Sequence, residues 1–323
     1  MMKTFQKWQK GSATPDMKRS NSNKKDDDIL HLKLDLRIQI ASDLHLEFYG
    51  KPNRIPSDII QRRAPVLALL GDIGMACTDI LRFFLLQQSD QFEQVLFVAG
   101  NHEFYNHPKE LKPITVQQQL EWIRQVCQER DNLHFLERQA VEIQGVRILG
   151  TTLWSNIPKQ QSRHAEEGMN DYQLSYISDH FGSVQHMTAK YTNSWHSLSV
   201  FWLEQQIQRA KHDGKPVVVL THHTPCTEAT SHPMYADSSY SCCFSSDLVH
   251  LLRDPVKVWC CGHTHYNFDL VIDQEKKKLV PSSSLANKST GGTRLVSNQR
   301  GYPGQDKMDY DSQGLVVRVS NQP

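Results

Sequence analysis

The feature that most constrains the fold of this chain is a set of five short apolar runs, each followed by metal-ligating types of residue. The runs are bounded by Gly, Pro or polar residues, a pattern typical of buried strands. They cover residues 36–41, 64–70, 94–99, 216–221 and 256–260. In open α/β sheets, ligands bind beyond the carboxyl ends of the strands. We therefore expect the five polar clusters to share one pocket.

Two segments between these runs carry apolar residues at helical spacing. Residues 115–130 place such residues on one face after Pro113, and residues 194–211 repeat the pattern and stop at Gly214. Strands that alternate with such helices predict an α/β fold rather than an all-β sandwich. Near the end, segments 268–272 and 278–282 are predicted to pair as an antiparallel hairpin, followed by a last strand over 315–319.

The domain organisation follows from length and local composition. The chain has 323 residues, enough for one large domain, which we place over residues 29–323. Residues 1–28 are Lys-rich and polar without an apolar central block, so we interpret them as a disordered tail and not as a secretory signal. The stretch at about 155–196 lacks strand character and is predicted to be an irregular insertion, either a lid or a mobile loop. Its Asn170-Asp171-Tyr172 could select a substrate through polar side-chain tips.

Charge and cysteine usage exclude several classes of function. Lys and Arg total 36 against 35 for Asp and Glu, so bulk charge cannot hold a nucleic-acid backbone or an anionic membrane. The seven cysteines are odd in number and form no Cys-x-x-Cys, which favours a reducing, cytoplasmic compartment. No apolar run approaches the length that a bilayer requires.

The first two polar clusters contribute carboxylates and one imidazole. Asp43 and His45 stand two residues apart, and in extended backbone alternate side chains project to the same face. They can therefore reach one cation. Asp72 follows Gly71, which lets the chain turn sharply. Each of these two motifs is common by chance when taken alone.

The remaining three clusters are richer in ligand types. Gly100-Asn101-His102-Glu103 combines an amide oxygen, an imidazole and an acid directly after an apolar run. His222-His223 and Gly262-His263-Thr264-His265 add further imidazoles after the next two runs. A buried structural role is the usual interpretation of a single histidine. Recurrence at five predicted strand ends argues against that interpretation here.

In chain order, these motifs resemble those of the calcineurin-like metallophosphoesterases over roughly residues 36–265. The resemblance implies a four-layer α/β/β/α sandwich with two central mixed sheets. It also implies two metal sites, whose ligands would be Asp43, His45, Asp72, Asn101, His222, His263 and His265.

The same resemblance assigns a role to each ligand. Asp43, His45 and His265 would hold one metal, and Asn101, His222 and His263 would hold the other. Asp72 would bridge the two metals and act with His102 in catalysis. His102 would face the substrate and protonate the leaving oxygen.

Physical chemistry supports a dinuclear centre. Two cations that share a carboxylate lie about 3.5–4 Å apart and can contact two oxygens of one phosphoryl group. A hydroxide held between them would be the nucleophile near neutral pH. Mixed His, Asp and Asn ligands suit Mn, Fe or Zn in a divalent or trivalent state.

Three assignments stay open at this stage. His222 is favoured over His223 as the ligand because it directly follows the apolar run, which leaves His223 with a substrate-binding, supporting or structural role. Glu103 either orients His102 or caps a helix. Arg300, in a late loop, either binds the substrate beside Asn101 and His102 or is simply solvated.

The chain departs from the serine/threonine protein phosphatases of this superfamily. Those enzymes carry Asp-Arg-Gly after the Gly-Asp motif and an Arg before Gly-Asn-His, and both arginines are missing here. This departure disfavours a phosphoprotein substrate.

The sequence therefore predicts a metal-dependent hydrolase of phosphomonoesters or phosphodiesters, with a small-molecule or nucleotide substrate and no membrane partner. One alternative is a nuclease, which would need a basic, aromatic groove that the motifs do not show. The other is a non-catalytic scaffold of the same fold, which would tend to lose ligands that this chain retains.

Overall fold

Two β-sheets packed face to face form the centre of the fold. The structure is a computed structural model. It describes residues 35–107, 112–179, 181–273, 278–285, 292–304 and 309–320, so the predicted tail over 1–28 lies outside the described residues. The described residues belong to one compact unit.

The strands and helices have the following bounds in chain order. The strands are β1 (Leu36–Ala41), β2 (Val66–Leu70), β3 (Gln94–Val98), β4 (Leu133–Phe135), β5 (Gln139–Ile143), β6 (Val146–Thr151), β7 (Tyr176–Ser178), β8 (Val184–His186), β9 (Val217–Thr221), β10 (Val256–Cys260), β11 (Asp269–Asp273), β12 (Lys278–Pro281), β13 (Arg294–Val296) and β14 (Leu315–Val319). The α-helices are α1 (Asp79–Gln91), α2 (Val116–Cys127), α3 (Ser162–Gly168), α4 (Asn170–Leu174) and α5 (Ala189–His212).

Both central sheets are mixed, as the resemblance implied. The first has the order β14-β1-β2-β3-β4, with β1 to β4 parallel and β14 antiparallel at the edge. The second has the order β12-β11-β13-β10-β9-β6-β5, in which β6, β9, β10 and β13 run parallel. The predicted hairpin is confirmed, because β11 pairs with β12 antiparallel.

Three apolar clusters lie between the four layers and hold them together. One lies between the sheets and joins residues such as Ile38 and Leu70 of the first sheet to Ile148 and Leu220 of the second. A second cluster packs α1 and α2 on the outer face of the first sheet. The third packs α5 on the outer face of the second sheet, through Leu203 among others. The α/β/β/α sandwich is therefore confirmed.

The helices begin and end close to where the sequence places them. Helix α2 starts after Thr115, whose hydroxyl accepts from Gln118 N while the Gln118 side chain accepts from Thr115 N, which is a capping box. The predicted second helix over 194–211 is longer in the structure, because α5 starts at Ala189. Among the described helices, none is both long and apolar enough to cross a membrane.

The stretch at about 155–196 is not irregular throughout. It contains α3, α4, the antiparallel pair β7-β8 and the start of α5. Buried Tyr172 and Ile177 join the apolar cluster on the outer face of the first sheet. Elements of three to seven residues give no clear period in the sequence, which is why the pattern predicted none.

Candidate metal centre

The carboxyl ends of β1, β2, β3, β9 and β10 bring the predicted polar clusters together. The loops that follow these strands are bonded to one another, since Asp43 N donates to Gly71 O at 3.0 Å and Gly262 N donates to His222 O at 2.9 Å. The predicted polar clusters therefore lie together at one edge of the sheets.

Strained backbone is concentrated at this edge of the sheets. Ten non-glycine residues in the described part of the chain have positive φ, and five of them are predicted ligands: Asp43, His45, Asp72, His263 and His265. Left-handed backbone is unfavourable for residues with a Cβ and persists where the surroundings fix it, often at functional sites.

One group of four side chains faces a common point. One potential ligand atom from each of Asp43, His45, Asp72 and His265 lies within 4.8 Å of all the others. His45 Nε2 is 3.0 Å from His265 Nε2. His265 Nε2 is 3.3 Å from Asp43 Oδ1, and His45 Nε2 is 3.9 Å from Asp72 Oδ2. We call these four residues the first cluster.

A second group faces the other oxygen of Asp72. Asp72, His222 and His263 also have ligand atoms within 4.8 Å of one another. His222 Nε2 is 3.4 Å from Asp72 Oδ1, 3.1 Å from His263 Nδ1 and 3.0 Å from Asn101 Oδ1. Asp72, Asn101, His222 and His263 form the second cluster. The two oxygens of Asp72 thus face one cluster each.

The two adjacent histidines have different surroundings. His222 Nδ1 donates to Leu70 O at 2.8 Å, which leaves the His222 Nε2 lone pair directed at the second cluster. His223 Nδ1 lies 3.4 Å from Thr152 O, and its buried Nε2 has no hydrogen-bond partner among the described residues. The His223 ring packs 4.1 Å from the ring of His263, measured between centroids. His222 is therefore the residue of this pair that joins the cluster.

His102 lies beside the first cluster and is held by an acid that the sequence reasoning missed. His102 Nδ1 donates to Glu47 Oε1 at 2.8 Å, and His45 Nδ1 lies 3.2 Å from the same oxygen. His102 Nε2 faces Asp72 Oδ2 at 3.9 Å. The spacing Asp43-x-His45-x-Glu47 is the signal that could have found Glu47.

Buried charges shift the pKa values in this site. Burial by itself would lower the pKa of His102, but the carboxylates of Asp72 and Glu47 raise it to about 9. Burial would raise the pKa of Asp72, yet the charges of His222 and His102 hold it well below the usual range. A neutral metal-ligand imidazole and an ionised carboxylate are the forms that bind cations.

Glu103 neither orients His102 nor simply caps a helix. Its carboxylate accepts from four backbone amides, those of Asp72 at 2.9 Å, Ile73 at 2.8 Å, Gly74 at 3.2 Å and Gly100 at 2.6 Å. It therefore ties the loop after β2 to the loop after β3. Both open hypotheses about Glu103 are replaced by this one.

Two glycines allow these loops to come close. A Cβ on Gly71 would clash with His222 Nδ1 and with the backbone of Gly100, and one on Gly100 would clash with Asp72 Oδ1. Gly71 also has a φ of +82°, which favours glycine. The glycines that precede Asp72 and Asn101 are thus both required by space, and Gly71 is required by its backbone conformation as well.

Asp171 is a second contact that the sequence reasoning did not find. Asn101 Nδ2 donates to Asp171 Oδ1 at 2.8 Å and to Tyr105 Oη at 2.9 Å, and Tyr105 donates to Asp171 Oδ1 at 2.6 Å. Asp171 and Tyr172 are 2% and 3% exposed, so their side chains are not polar tips at a surface. In this triplet, only Asn170 is exposed.

Aromatic residues lie beside the first cluster. The Tyr302 hydroxyl is 3.3 Å from His102 Nε2, and the Tyr302 ring is 4.3 Å from the His45 ring. The exposed ring of Phe48 lies 5.5 Å from that of Tyr302. The guanidinium carbon of Arg300 instead lies 5.7 Å from the centre of the Tyr49 ring. From this late loop, the structure brings Tyr302 rather than Arg300 to His102.

Comparisons with known proteins identify a family and a similar fold. The family model described as calcineurin-like phosphoesterase matches residues 36–267. The uncharacterised protein L509 of Acanthamoeba polyphaga mimivirus is 32% identical over 248 residues, which is 71% of this chain and 84% of that protein. The crystal structure of the phosphopantetheinyl hydrolase PptH from Mycobacterium tuberculosis has a similar fold, with a TM-score of 0.59. It is 16% identical, and the match covers 90% of this chain and 98% of that one.

Proposed function

The chain belongs to the calcineurin-like phosphoesterase family, and we propose that it hydrolyses phosphomonoesters or phosphodiesters with two bound metal cations. The observation that supports this proposal is that the carboxylate of Asp72 faces both clusters of ligand atoms. Its Oδ1 lies 3.4 Å from His222 Nε2 in the second cluster, and its Oδ2 lies 3.9 Å from His45 Nε2 in the first. A carboxylate placed between two groups of ligands is the arrangement that a cation pair needs.

The donor atoms of both clusters fit this role. All are imidazole nitrogens or carboxylate and amide oxygens, and they are buried except for partly exposed His265. His45 and His265 bring two ring nitrogens to 3.0 Å, and His222 and His263 bring two to 3.1 Å. Such crowding of lone pairs is unfavourable unless a proton or a cation lies between them. With no sulfur donor, this set suits Mn, Fe or Zn in a divalent or trivalent state.

When bound, the two cations would supply positive charge for the phosphoryl oxygens and an acidified water as the nucleophile. The protein's own contribution to leaving-group departure comes from His102. Its Nδ1 is held by Glu47 at 2.8 Å, so Nε2 is the position from which a proton can be given to the leaving oxygen. In the metal-free protein, the carboxylates of Asp72 and Glu47 raise the pKa of His102 to about 9 and so favour its protonated form. Cation charge at Asp72 would oppose this effect and make the proton easier to release.

We infer that the substrate is a small molecule or a nucleotide. The formal net charge of the chain is +1, which offers no broad attraction for a polyanion. The guanidinium of Arg300 lies on Tyr49 rather than at His102, so Arg300 does not take the place of the phosphatase arginines there. The solved structure with a similar fold is named a phosphopantetheinyl hydrolase, so a phosphopantetheine conjugate is included among the esters to be assayed. At 16% identity, this likeness supports the fold alone.

The free cysteines favour a reducing compartment, such as the cytoplasm, for this protein. All seven are free, and five of them are buried. Buried thiols without partners persist where disulfide exchange is disfavoured.

The test is hydrolysis by metal-free protein reloaded with Mn²⁺, Fe²⁺ or Zn²⁺. The assayed esters would be para-nitrophenyl phosphate, its bis-ester, nucleoside monophosphates, cyclic nucleotides and a phosphopantetheine conjugate. We expect turnover that requires added metal, stops with a chelator and is lost in Asp72→Asn. Activity that survives complete metal removal, or no activity with any ester and any metal, would contradict the proposal.

A further inference from the structure

Asn101 presents its two ends to different neighbours. Its Oδ1 lies 3.0 Å from His222 Nε2 in the second cluster, whereas its Nδ2 faces away toward Asp171 and Tyr105. Only the oxygen of an amide can bind a cation, because the NH₂ group is a donor with no available lone pair. The orientation of this one amide therefore decides whether the second cluster has an oxygen ligand there.

The Tyr105 hydroxyl cannot fix that orientation alone. A hydroxyl can donate or accept, so it can pair with either end of the Asn101 amide. An ionised carboxylate only accepts. Because the Tyr105 proton goes to Asp171 Oδ1 at 2.6 Å, the Tyr105 oxygen is left to accept from Asn101 Nδ2. Asp171 also accepts directly from Asn101 Nδ2 at 2.8 Å. Both contacts allow one orientation of the amide and disfavour the other.

The surroundings of Asp171 indicate that its burial serves this purpose. Asp171 is 2% exposed, so its carboxylate is removed from water. A buried carboxylate is costly unless it accepts strong hydrogen bonds. Its two donors here are Asn101 and Tyr105.

Helix α4 is also attached to the loop after β3 at its other end. Asn106 N donates to Leu174 O at 2.8 Å, and Asn106 Nδ2 donates to the same oxygen at 3.1 Å. Asp171 and Leu174 therefore accept hydrogen bonds from the two ends of the segment from Asn101 to Asn106. These contacts attach α4 to the loop that carries Asn101.

We propose that Asp171 is a positioning residue that turns the Asn101 oxygen toward a cation in the second cluster. This inference rests on the proposed function, because it presumes that a cation binds there. It gives the stretch between β6 and β9 a role in assembling the metal centre, where the sequence pattern suggested a role in selecting the substrate.

The experiment uses Mn²⁺ alone and measures binding rather than turnover. Metal-free full-length protein is dialysed against a series of Mn²⁺ concentrations, and bound metal is counted. We expect wild type to bind two ions. Asp171→Ala should bind one ion as wild type does and the other about 10–100-fold more weakly, the usual effect of losing a residue that orients a ligand.

The matched variants separate positioning from folding. Asn170→Ala changes the exposed neighbour on the same helix and should bind two ions normally. Asp171→Asn keeps an oxygen that can accept from both donors, so it should restore much of the lost affinity. If Asp171→Ala does not fold, as judged by thermal unfolding without metal, Tyr105→Phe tests the same network and should weaken one site less severely.

Each outcome has a distinct meaning. Two ions bound by Asp171→Ala with the affinities of Asn170→Ala would overturn the positioning role. Equal weakening of both sites would also overturn it, because Asn101 lies near one cluster only. Wild-type protein that binds no Mn²⁺ would instead refute the proposed function and leave the amide orientation a structural feature.

Discussion

His102 donates a hydrogen bond of 2.8 Å from Nδ1 to Oε1 of Glu47, 55 residues away in the sequence. The same oxygen lies 3.2 Å from Nδ1 of His45, in the first cluster. One carboxylate therefore orients a proposed metal ligand and the proposed acid together. Its other oxygen, Oε2, is buried and has no hydrogen-bond partner among the described residues, so the two imidazoles are its described polar contacts.

Substitutions of Glu47 should affect turnover in a graded way. Glu47→Gln keeps an acceptor oxygen but removes the charge that stabilises protonated His102, so kcat should fall by about 10–10²-fold, part of what an acid contributes. Glu47→Ala should lose more, and it should also weaken the first cluster because His45 is no longer held. Steady-state kinetics and metal counting would check both effects. Equal kcat in Glu47→Gln and wild type would show that the charge is unimportant.

Removal of the acid itself should depend on the leaving group. His102→Ala should retain both metals and lose about 10²–10⁴-fold in kcat for esters with poor leaving groups. The loss should shrink for para-nitrophenyl esters, whose leaving group departs without a proton. A series of aryl phosphates with different phenol pKa values measures this dependence. A loss of the same size across the series would mean that His102 is not the acid.

Asp72→Asn should lower metal occupancy in both clusters together, because each carboxylate oxygen faces a different cluster. An amide has one oxygen, so at best one of the two contacts can survive. Metal analysis after dialysis against Mn²⁺ would show the change. Asp43→Asn is the comparison, since Asp43 belongs to the first cluster alone and should affect mainly one ion. Loss of a single ion in Asp72→Asn would argue against a shared carboxylate.

The stability of the two loops should depend on Glu103. Its carboxylate accepts from four buried backbone amides, and each amide left without a partner costs about 1–3 kcal/mol. Glu103→Ala should therefore reduce the free energy of unfolding by about 3 kcal/mol or more. Urea unfolding of metal-free protein measures it without a contribution from bound cations. Glu121→Ala, at an exposed position of α2, should change it by less than about 0.5 kcal/mol.

The strands and their polar ends could be predicted because they follow local rules. The bounds of β1, β10 and β14 agree with the predicted runs, and the polar residues after five strands meet as the rule for α/β sheets requires. Alternation and apolar runs are properties of neighbouring residues, so the sequence displays them directly. The resemblance to a family then supplied the arrangement of the two sheets, which no local pattern contains.

Glu47 and Asp171 could not be predicted in the same way. Their hydrogen-bond partners His102 and Asn101 are 55 and 70 residues distant. Asp171 lies in a short helix where nothing in the spacing marks it as buried. Glu47 is partly buried, and its spacing from Asp43 and His45 is its local signal. Asp171 stands in a polar segment, and this pattern predicts a surface role. Only the folded chain shows that the segment turns this side chain inward against Asn101.

Two residues of the loop after β13, Tyr302 and Arg300, contact different neighbours. The Tyr302 hydroxyl is 3.3 Å from His102 Nε2, the position that would face the leaving oxygen. Arg300, which the sequence suggested as a substrate-binding residue, has its guanidinium over Tyr49 instead. Tyr302→Phe removes one neutral hydrogen bond and should lower kcat/KM by about 2–10-fold, the equivalent of about 0.5–1.5 kcal/mol. Arg300→Gln should leave KM for a small phosphate ester close to that of wild type. Kinetics of both variants on one phosphomonoester would decide the matter, since a large rise in KM for Arg300→Gln alone would show that the guanidinium moves to the substrate.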